Sequence, residues 1–119
     1  MAKILVVDDS QFVRMRMKKL LNREGYTVVE AEDGFAAILA YERSQPDLVL
    51  LDITMPGKTG LEALADIRAN DDEAKVIMLT AIDQEEAVVE AMRLGALDYL
   101  PKQQDPQQLM ITLKKILGE

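Results

Sequence analysis

The chain has 119 residues, of which 49% are hydrophobic and 29% charged, and its formal net charge is −7. This length predicts one domain, and the negative charge disfavours direct nucleic-acid binding. The sequence contains no cysteine and no histidine, which excludes disulfides, thiolate or histidine metal sites and Ser-His-Asp hydrolysis. Because no segment has the length of a membrane span and the start is not a signal peptide, we expect a cytoplasmic protein without a membrane anchor.

Five short apolar segments alternate with five amphipathic segments along the chain. The apolar segments predict strands at 3–7, 27–31, 48–52, 75–80 and 97–101. The first helix is expected to begin at Asp8-Asp9-Ser10 and to end at Gly25. The last is expected to begin at Asp105-Pro106, a pair typical of an N-cap and first helical turn.

Helical spacing of apolar residues predicts the inner face of each helix. In chain order these residues are Val13, Met17, Leu20 and Leu21; Ala37, Ile38 and Tyr41; Leu61, Leu64, Ala65 and Ile67; Ala87, Val88, Ala91 and Met92; Leu109, Leu113, Ile116 and Leu117. Regular alternation predicts an α/β fold, a doubly wound five-stranded parallel sheet of order 2-1-3-4-5 with helices on both faces, as in flavodoxin-like folds. We expect one domain, 1–119, without an output domain.

Polar residues stand at the carboxyl ends of four predicted strands: Asp8 and Asp9, Asp52, Thr80, and Lys102. A parallel sheet of this order brings these ends to one edge. Three carboxylates that close repel one another, so positive charge is needed beside them. Lys102 supplies one charge, and Mg²⁺, which prefers oxygen ligands, suits the remainder.

A carboxylate next to a hard cation, an ammonium and a hydroxyl is an arrangement typical of phosphoryl transfer. Asp52 would attack phosphorus in line, Mg²⁺ and Lys102 would neutralise the equatorial oxygens, and Thr80 would donate a hydrogen bond to one of them. Taken alone, Asp8 and Asp9 could instead cap a helix, Asp52 could be a turn residue, and Lys102 could be a surface lysine.

The motifs at these strand ends are Asp8-Asp9, Asp52 followed by Met55-Pro56 and Gly60, Thr80-Ala81, and Tyr99 three residues before Lys102. Together they resemble the receiver domain of two-component response regulators, over the whole chain. The length is similar to that of the stand-alone, chemotaxis type of regulator.

The resemblance implies a role for each site residue. Asp52 accepts a phosphoryl group from a phosphohistidine on a partner histidine kinase or histidine phosphotransfer protein. Asp9, Asp52 and the backbone carbonyl of Thr54 bind Mg²⁺, and Asp8 assists through water. Lys102 pairs with Asp52 and then with the phosphoryl group.

The resemblance also implies a switch. Thr80 moves toward the phosphoryl oxygen, Tyr99 turns inward, and a downstream target reads the face formed by helix four, strand five and helix five. Thr54 and Ile82 are implied to tune the lifetime of the phosphorylated state. Such a protein is expected to be a monomer and not an enzyme, apart from catalysing its own phosphorylation and dephosphorylation.

One position departs from the family pattern. The family usually carries proline, with a cis bond, directly after the lysine, whereas Gln103 follows Lys102 here and Pro101 precedes it. A cis bond without proline costs about 2.5–4 kcal/mol. We therefore expect either a trans bond with a reshaped loop or a strained cis bond, and the placement of the lysine is in question.

Three alternatives remain open. The first is a pseudo-receiver that binds proteins without accepting phosphate, supported only by Gln103. A flavin carrier would need a Ser/Thr/Gly-rich loop after strand one, where acids stand instead. An aspartyl-phosphate phosphatase would need an acid at the position of Thr54.

Basic residues are concentrated in the first helix of this acidic chain. They are Arg14, Arg16, Lys18, Lys19 and Arg23. They form either a solvated outer face or, as the family's use of this helix supports, a docking surface for an acidic kinase or phosphotransfer helix bundle.

Overall fold

A computed structural model describes residues 2–81, 84–103 and 105–119. Strands and helices alternate strictly in these ranges. The elements are β1 (Lys3–Val7), α1 (Gln11–Arg23), β2 (Thr27–Ala31), α2 (Gly34–Ser44), β3 (Leu48–Asp52), α3 (Gly60–Asn70), β4 (Val76–Thr80), α4 (Glu85–Arg93), β5 (Asp98–Pro101) and α5 (Pro106–Leu117).

All five strands form one parallel sheet in the order β2-β1-β3-β4-β5. The predicted doubly wound fold is confirmed. Strands β1, β3 and β4 are short apolar runs because both of their faces are covered by helices, so successive side chains are buried on opposite sides of the sheet.

Two hydrophobic cores lie on the two faces of the sheet. Ile4 and Val6 of β1 belong to the core that contains residues of α1 and α5. Leu5 and Val7, which alternate with them, belong to the core that contains residues of α2, α3 and α4. Each fully buried aliphatic side chain contributes about 1.5–3 kcal/mol to the stability of the fold. The sheet is therefore stable enough to hold the groups at its carboxyl edge in fixed positions.

Short polar side chains fix where several helices begin. Ser10 caps α1, with its hydroxyl accepting a hydrogen bond from the Val13 N–H. Asp105 caps α5 ahead of Pro106, as predicted. Thr59 and Glu62 form a reciprocal capping box at the start of α3, immediately after the loop that follows β3.

Two strand boundaries and two helical residues differ from the prediction. Strands β4 and β5 begin one residue later, at Val76 and Asp98. Met92 was expected on the inner face of α4 but is 41% exposed, because Ala91 next to it takes the fully buried position. Ala65 was expected on the inner face of α3 but is only partly buried, and Ala63 is fully buried instead. None of the helices in the described ranges is long and apolar enough to cross a membrane.

Candidate functional site

The carboxyl edge of the sheet gathers the residues singled out from the sequence. Asp52 is the last residue of β3, and Thr80 is the last residue of β4. Asp8 and Asp9 directly follow β1, and Lys102 directly follows β5. Since β1, β3, β4 and β5 are consecutive neighbours, the topology places these groups along one rim.

An ion-paired triad occupies the centre of this rim. The Lys102 Nζ lies 2.9 Å from Asp52 Oδ2 and 3.3 Å from Asp8 Oδ2. Both carboxylates are fully buried, whereas the lysine side chain is 25% exposed. One ammonium therefore faces two buried carboxylates, which leaves an excess of negative charge that the described side chains do not neutralise.

The electrostatics of the triad follow from burial. Loss of water raises the pKa of the Asp52 carboxyl to about 6, with Lys102 and the Thr54 N–H opposing and Asp8 adding to the increase. Burial opposes the positive charge of Lys102, but the Asp52 and Asp8 carboxylates hold the pKa of its ammonium above the ordinary lysine value. Lys102 is thus positively charged at neutral pH, whereas ionisation of Asp52 carries a free-energy cost in the folded state.

Backbone N–H groups orient one oxygen of each buried carboxylate. The Thr54 N–H donates to Asp52 Oδ1 at 3.1 Å, and the Ser10 N–H donates to Asp8 Oδ1 at 2.9 Å. The Oδ2 atoms of both aspartates face Lys102 as ion pairs but receive no well-directed hydrogen bond from the described residues. Each buried carboxylate thus retains acceptor capacity, which would be costly to leave unused.

The same carboxylates form a group that could hold a metal ion. Ligand oxygens of Asp8, Asp9 and Asp52 lie within 4.8 Å of one another, with Asp9 exposed and the other two buried. An all-oxygen set that is open to water on one side fits Mg²⁺, which keeps several of its waters. The Thr54 carbonyl as a further ligand remains a prediction, although its N–H already ties this peptide to Asp52.

Gly60 lets the chain close tightly behind Asp52. A Cβ at this position would lie 2.0 Å from the backbone oxygen of Asp52, far inside van der Waals contact. The Gly60 N–H donates to the carbonyl of Ile53 at 2.9 Å, which holds the start of α3 against the end of β3. Glycine is therefore required at this position of the motif for steric reasons, because no side chain fits there.

Neither Thr80 at the end of β4 nor Tyr99 within β5 occupies the position implied for the switched state. The Thr80 hydroxyl donates to the Leu100 carbonyl at 3.5 Å. Tyr99 is 49% exposed and, with Thr80 and residues of α4, lines an open groove of about 400 Å³. The inward position of Tyr99 stays a prediction, and Ile82 lies outside the described residues.

The sequence did not reveal the contacts of Gln84. Its side-chain amide donates to the Thr54 hydroxyl, and its Oε1 accepts a hydrogen bond from the Ala81 N–H at 2.6 Å. The loops that follow β3 and β4 are therefore joined beside Asp52. No pattern in the sequence could have indicated this bridge, because it depends on the relative placement of two loops.

The peptide bond between Lys102 and Gln103 is trans, since no cis bond occurs in the described part of the chain. Of the two possibilities expected from the sequence, the trans bond is confirmed. The Lys102 N–H nevertheless donates to the Thr80 carbonyl at 2.8 Å, and its ammonium contacts Asp52. Loss of the usual proline has not removed the lysine from the site.

Comparison with known proteins agrees with this geometry. The family model described as the response regulator receiver domain matches residues 4–114. Chemotaxis protein CheY of Listeria monocytogenes is 44% identical over 116 residues, which span 97% of this chain and 98% of that protein. Sporulation initiation phosphotransferase F of Bacillus subtilis is 36% identical, covering 97% of this chain and 93% of that protein.

Solved structures show the same fold. The chemotaxis protein CheY4 of Vibrio cholerae superposes with a TM-score of 0.91 at 32% identity, covering 98% of each chain. The sequence similarity and the shared fold extend over nearly the whole chain, so the chain belongs to the response regulator receiver domain family.

Proposed function

We propose that this protein is a phosphorylation-dependent signalling switch in which Asp52 is the phosphoacceptor. The observation that carries the proposal is the position of Asp52 at the centre of the rim. Its buried carboxylate contacts the Lys102 ammonium at 2.9 Å and lies within a group of three acids that could hold a cation. A carboxylate beside an ammonium and a bound divalent cation would be suited to nucleophilic attack on a phosphoryl group.

In the proposed reaction the donor is a phosphohistidine on a partner histidine kinase or histidine phosphotransfer protein. An oxygen of Asp52 forms a bond to phosphorus while the bond between phosphorus and the histidine nitrogen breaks. That nitrogen keeps the electron pair, and the ring, which carries a proton on its other nitrogen, leaves as neutral imidazole. The product is an acyl phosphate on Asp52. The chain contains no histidine, so it cannot itself act as a phosphohistidine donor.

The residues around Asp52 orient and neutralise the charges of this reaction. The Thr54 N–H holds one carboxylate oxygen, and the Lys102 ammonium is placed to stabilise negative charge on the transferred group. Asp8, Asp9 and Asp52 would hold Mg²⁺. When bound, the ion supplies positive charge that offsets repulsion between the acids and the incoming phosphoryl oxygens.

The proposed output is a change in the face formed by α4, β5 and α5. The Thr80 hydroxyl can leave the Leu100 carbonyl for a phosphoryl oxygen, since the hydrogen bond between them is long at 3.5 Å. That movement would open space beside exposed Tyr99, which could then turn inward. A downstream protein would bind one arrangement of this face more tightly than the other.

The proposed docking surface for the phosphodonor protein is the outer face of α1. Phe12 and Met15 are 73% and 49% exposed on this helix, and Lys19 is exposed beside them. An apolar centre flanked by positive charge complements an acidic helix bundle. This helix begins directly after Asp8 and Asp9, so a partner bound to it would lie close to Asp52.

The proposal is tested by mass spectrometry after incubation with a small-molecule phosphodonor, with and without Mg²⁺. We expect wild type to gain one phosphoryl group only when Mg²⁺ is present. Asp52→Asn removes the nucleophile and is expected to gain none. The matched control Asp72→Asn, which changes an exposed carboxylate, should behave as wild type.

If wild type gained no phosphoryl group from small donors or from any histidine kinase, the pseudo-receiver alternative would replace this proposal. In that case the fold would act as a protein-binding module without phosphate.

A further inference from the structure

Two arginines on α1 hold the backbone of two site residues. The Arg14 Nη1 donates to the carbonyl of Asp8 at 2.6 Å, and the Arg16 Nη2 donates to the carbonyl of Lys102 at 3.1 Å. Asp8 and Lys102 are the two groups that flank Asp52 in the buried triad. The helix therefore contacts the site through side chains as well as through its N-terminus.

Three groups of Lys102 make contacts that restrict its position: the backbone N–H, the side-chain ammonium and the backbone carbonyl. Its N–H donates to the Thr80 carbonyl at 2.8 Å, and its ammonium forms ion pairs with Asp52 and Asp8. Its own carbonyl accepts the hydrogen bond from Arg16. That carbonyl belongs to the trans peptide in which a glutamine stands in place of the family's proline, so the ring that usually restricts this point of the chain is absent.

The hydrogen bond from Arg16 to the Lys102 carbonyl can restrict the peptide between Lys102 and Gln103. Arg16 is followed in α1 by Met17, which is fully buried in the core, so the backbone that carries the arginine is fixed. Its guanidinium is planar and always charged, and it donates in a defined direction. Hydrogen bonds in which the donor is charged are stronger than neutral ones.

We propose that Arg16 is a positioning residue for Lys102: it fixes the peptide after the lysine and so keeps the ammonium on Asp52. This inference rests on the proposed function of Asp52 as phosphoacceptor. Small displacements of a catalytic group are costly, since an error of about 1 Å can lower a rate by up to about 100-fold. The role differs from docking, because it should be evident without any partner protein.

The test compares Arg16→Met with the matched control Arg43→Met on α2. Both changes replace an exposed helical arginine with an uncharged side chain that keeps an aliphatic stem, but only Arg16 contacts Lys102. Phosphorylation rates are measured over a range of small-donor concentrations at saturating Mg²⁺, together with Mg²⁺ affinity and melting temperature. A second readout is the hydrogen exchange of the Lys102 ammonium protons, followed by ¹⁵N NMR.

We expect Arg16→Met to lower the maximal phosphorylation rate by about fivefold or more, with half-saturating donor and Mg²⁺ concentrations within about twofold of wild type. The exchange of the Lys102 ammonium protons should become faster. Arg43→Met should match wild type in every measurement.

Equal rates and equal proton exchange in the two variants would overturn the inference. So would a lower rate in Arg16→Met that is accompanied by parallel losses of Mg²⁺ affinity and melting temperature, since that pattern indicates a general structural defect. If wild type accepts no phosphate, the proposed function fails by itself, and the proton exchange of Lys102 still decides whether Arg16 positions the lysine.

Discussion

Removal of the charge on Asp52 should stabilise the protein at neutral pH. Burial raises the pKa of this carboxyl from 3.8 to about 6, even though Lys102 is in contact with it. A difference of that size corresponds to about 3 kcal/mol, which ionisation of Asp52 costs the folded state above pH 6. Asp52→Asn keeps the shape and the acceptor for the Thr54 N–H but cannot ionise.

The direction of the pKa shift of Asp52 determines how the stability difference between Asp52→Asn and wild type depends on pH. Because the folded-state pKa is raised, the favourable contribution of protonated Asp52 is complete below about pH 4 and is lost as pH rises through about 6. In Asp52→Asn this loss cannot occur. The variant should therefore exceed wild type in stability above pH 6, and the two should converge toward pH 4.

The assay is urea unfolding from pH 4 to pH 8 in the presence of a chelator, so that no divalent cation offsets the repulsion. At pH 7.5 we expect Asp52→Asn to be more stable by about 1–3 kcal/mol, or about 4 °C in melting temperature for each kcal/mol. The exposed-carboxylate control Asp72→Asn should stay within about 0.5 kcal/mol of wild type. Lower stability of Asp52→Asn at pH 7.5, or a difference that does not change with pH, would refute the argument from burial and charge repulsion.

Three further predictions concern the metal site, the close contact at Gly60 and the outer face of α1. Millimolar Mg²⁺ should stabilise wild type by about 1–3 kcal/mol through binding to the folded state, and this gain should be much smaller in Asp52→Asn; an unchanged unfolding transition would count against a metal site. Gly60→Ala should destabilise by about 3 kcal/mol or prevent folding, because its Cβ would overlap the Asp52 backbone oxygen, and a urea midpoint equal to that of wild type would contradict this. Lys19→Glu should slow phosphotransfer from a histidine phosphotransfer protein, most strongly at low salt, without changing the rate with a small donor; equal effects on both donors would argue against docking on α1.

The fold could be predicted from the sequence because local pattern and topology agree. Apolar runs such as 48–51 have no alternation, which is expected only for strands buried on both faces, and the helices separate them at regular intervals. A parallel sheet then has one carboxyl edge. Asp8, Asp52 and Lys102 could be assigned to one site before any coordinates, since each stands at the end of a strand.

Other features depend on distances that a sequence pattern does not contain. Residue spacing does not show that the Arg16 side chain reaches the Lys102 carbonyl across 86 positions, or that Gln84 joins two loops. The exposure of Met92 was also missed, because a helical pattern of apolar residues fixes the direction of a face but not its width. Each of these features depends on how elements that are distant in the sequence pack together in the folded protein.

The most direct measurement locates the transferred group. Wild type is incubated with a small phosphodonor and Mg²⁺, the acyl phosphate is reduced with borohydride, and the peptides are sequenced by mass spectrometry. Reduction of an aspartyl phosphate leaves homoserine at the modified position. We expect homoserine at the position of Asp52 alone, and only in samples that contained both donor and Mg²⁺. Modification at Asp8 or Asp9 instead, or at no aspartate, would contradict the assignment of Asp52 as phosphoacceptor.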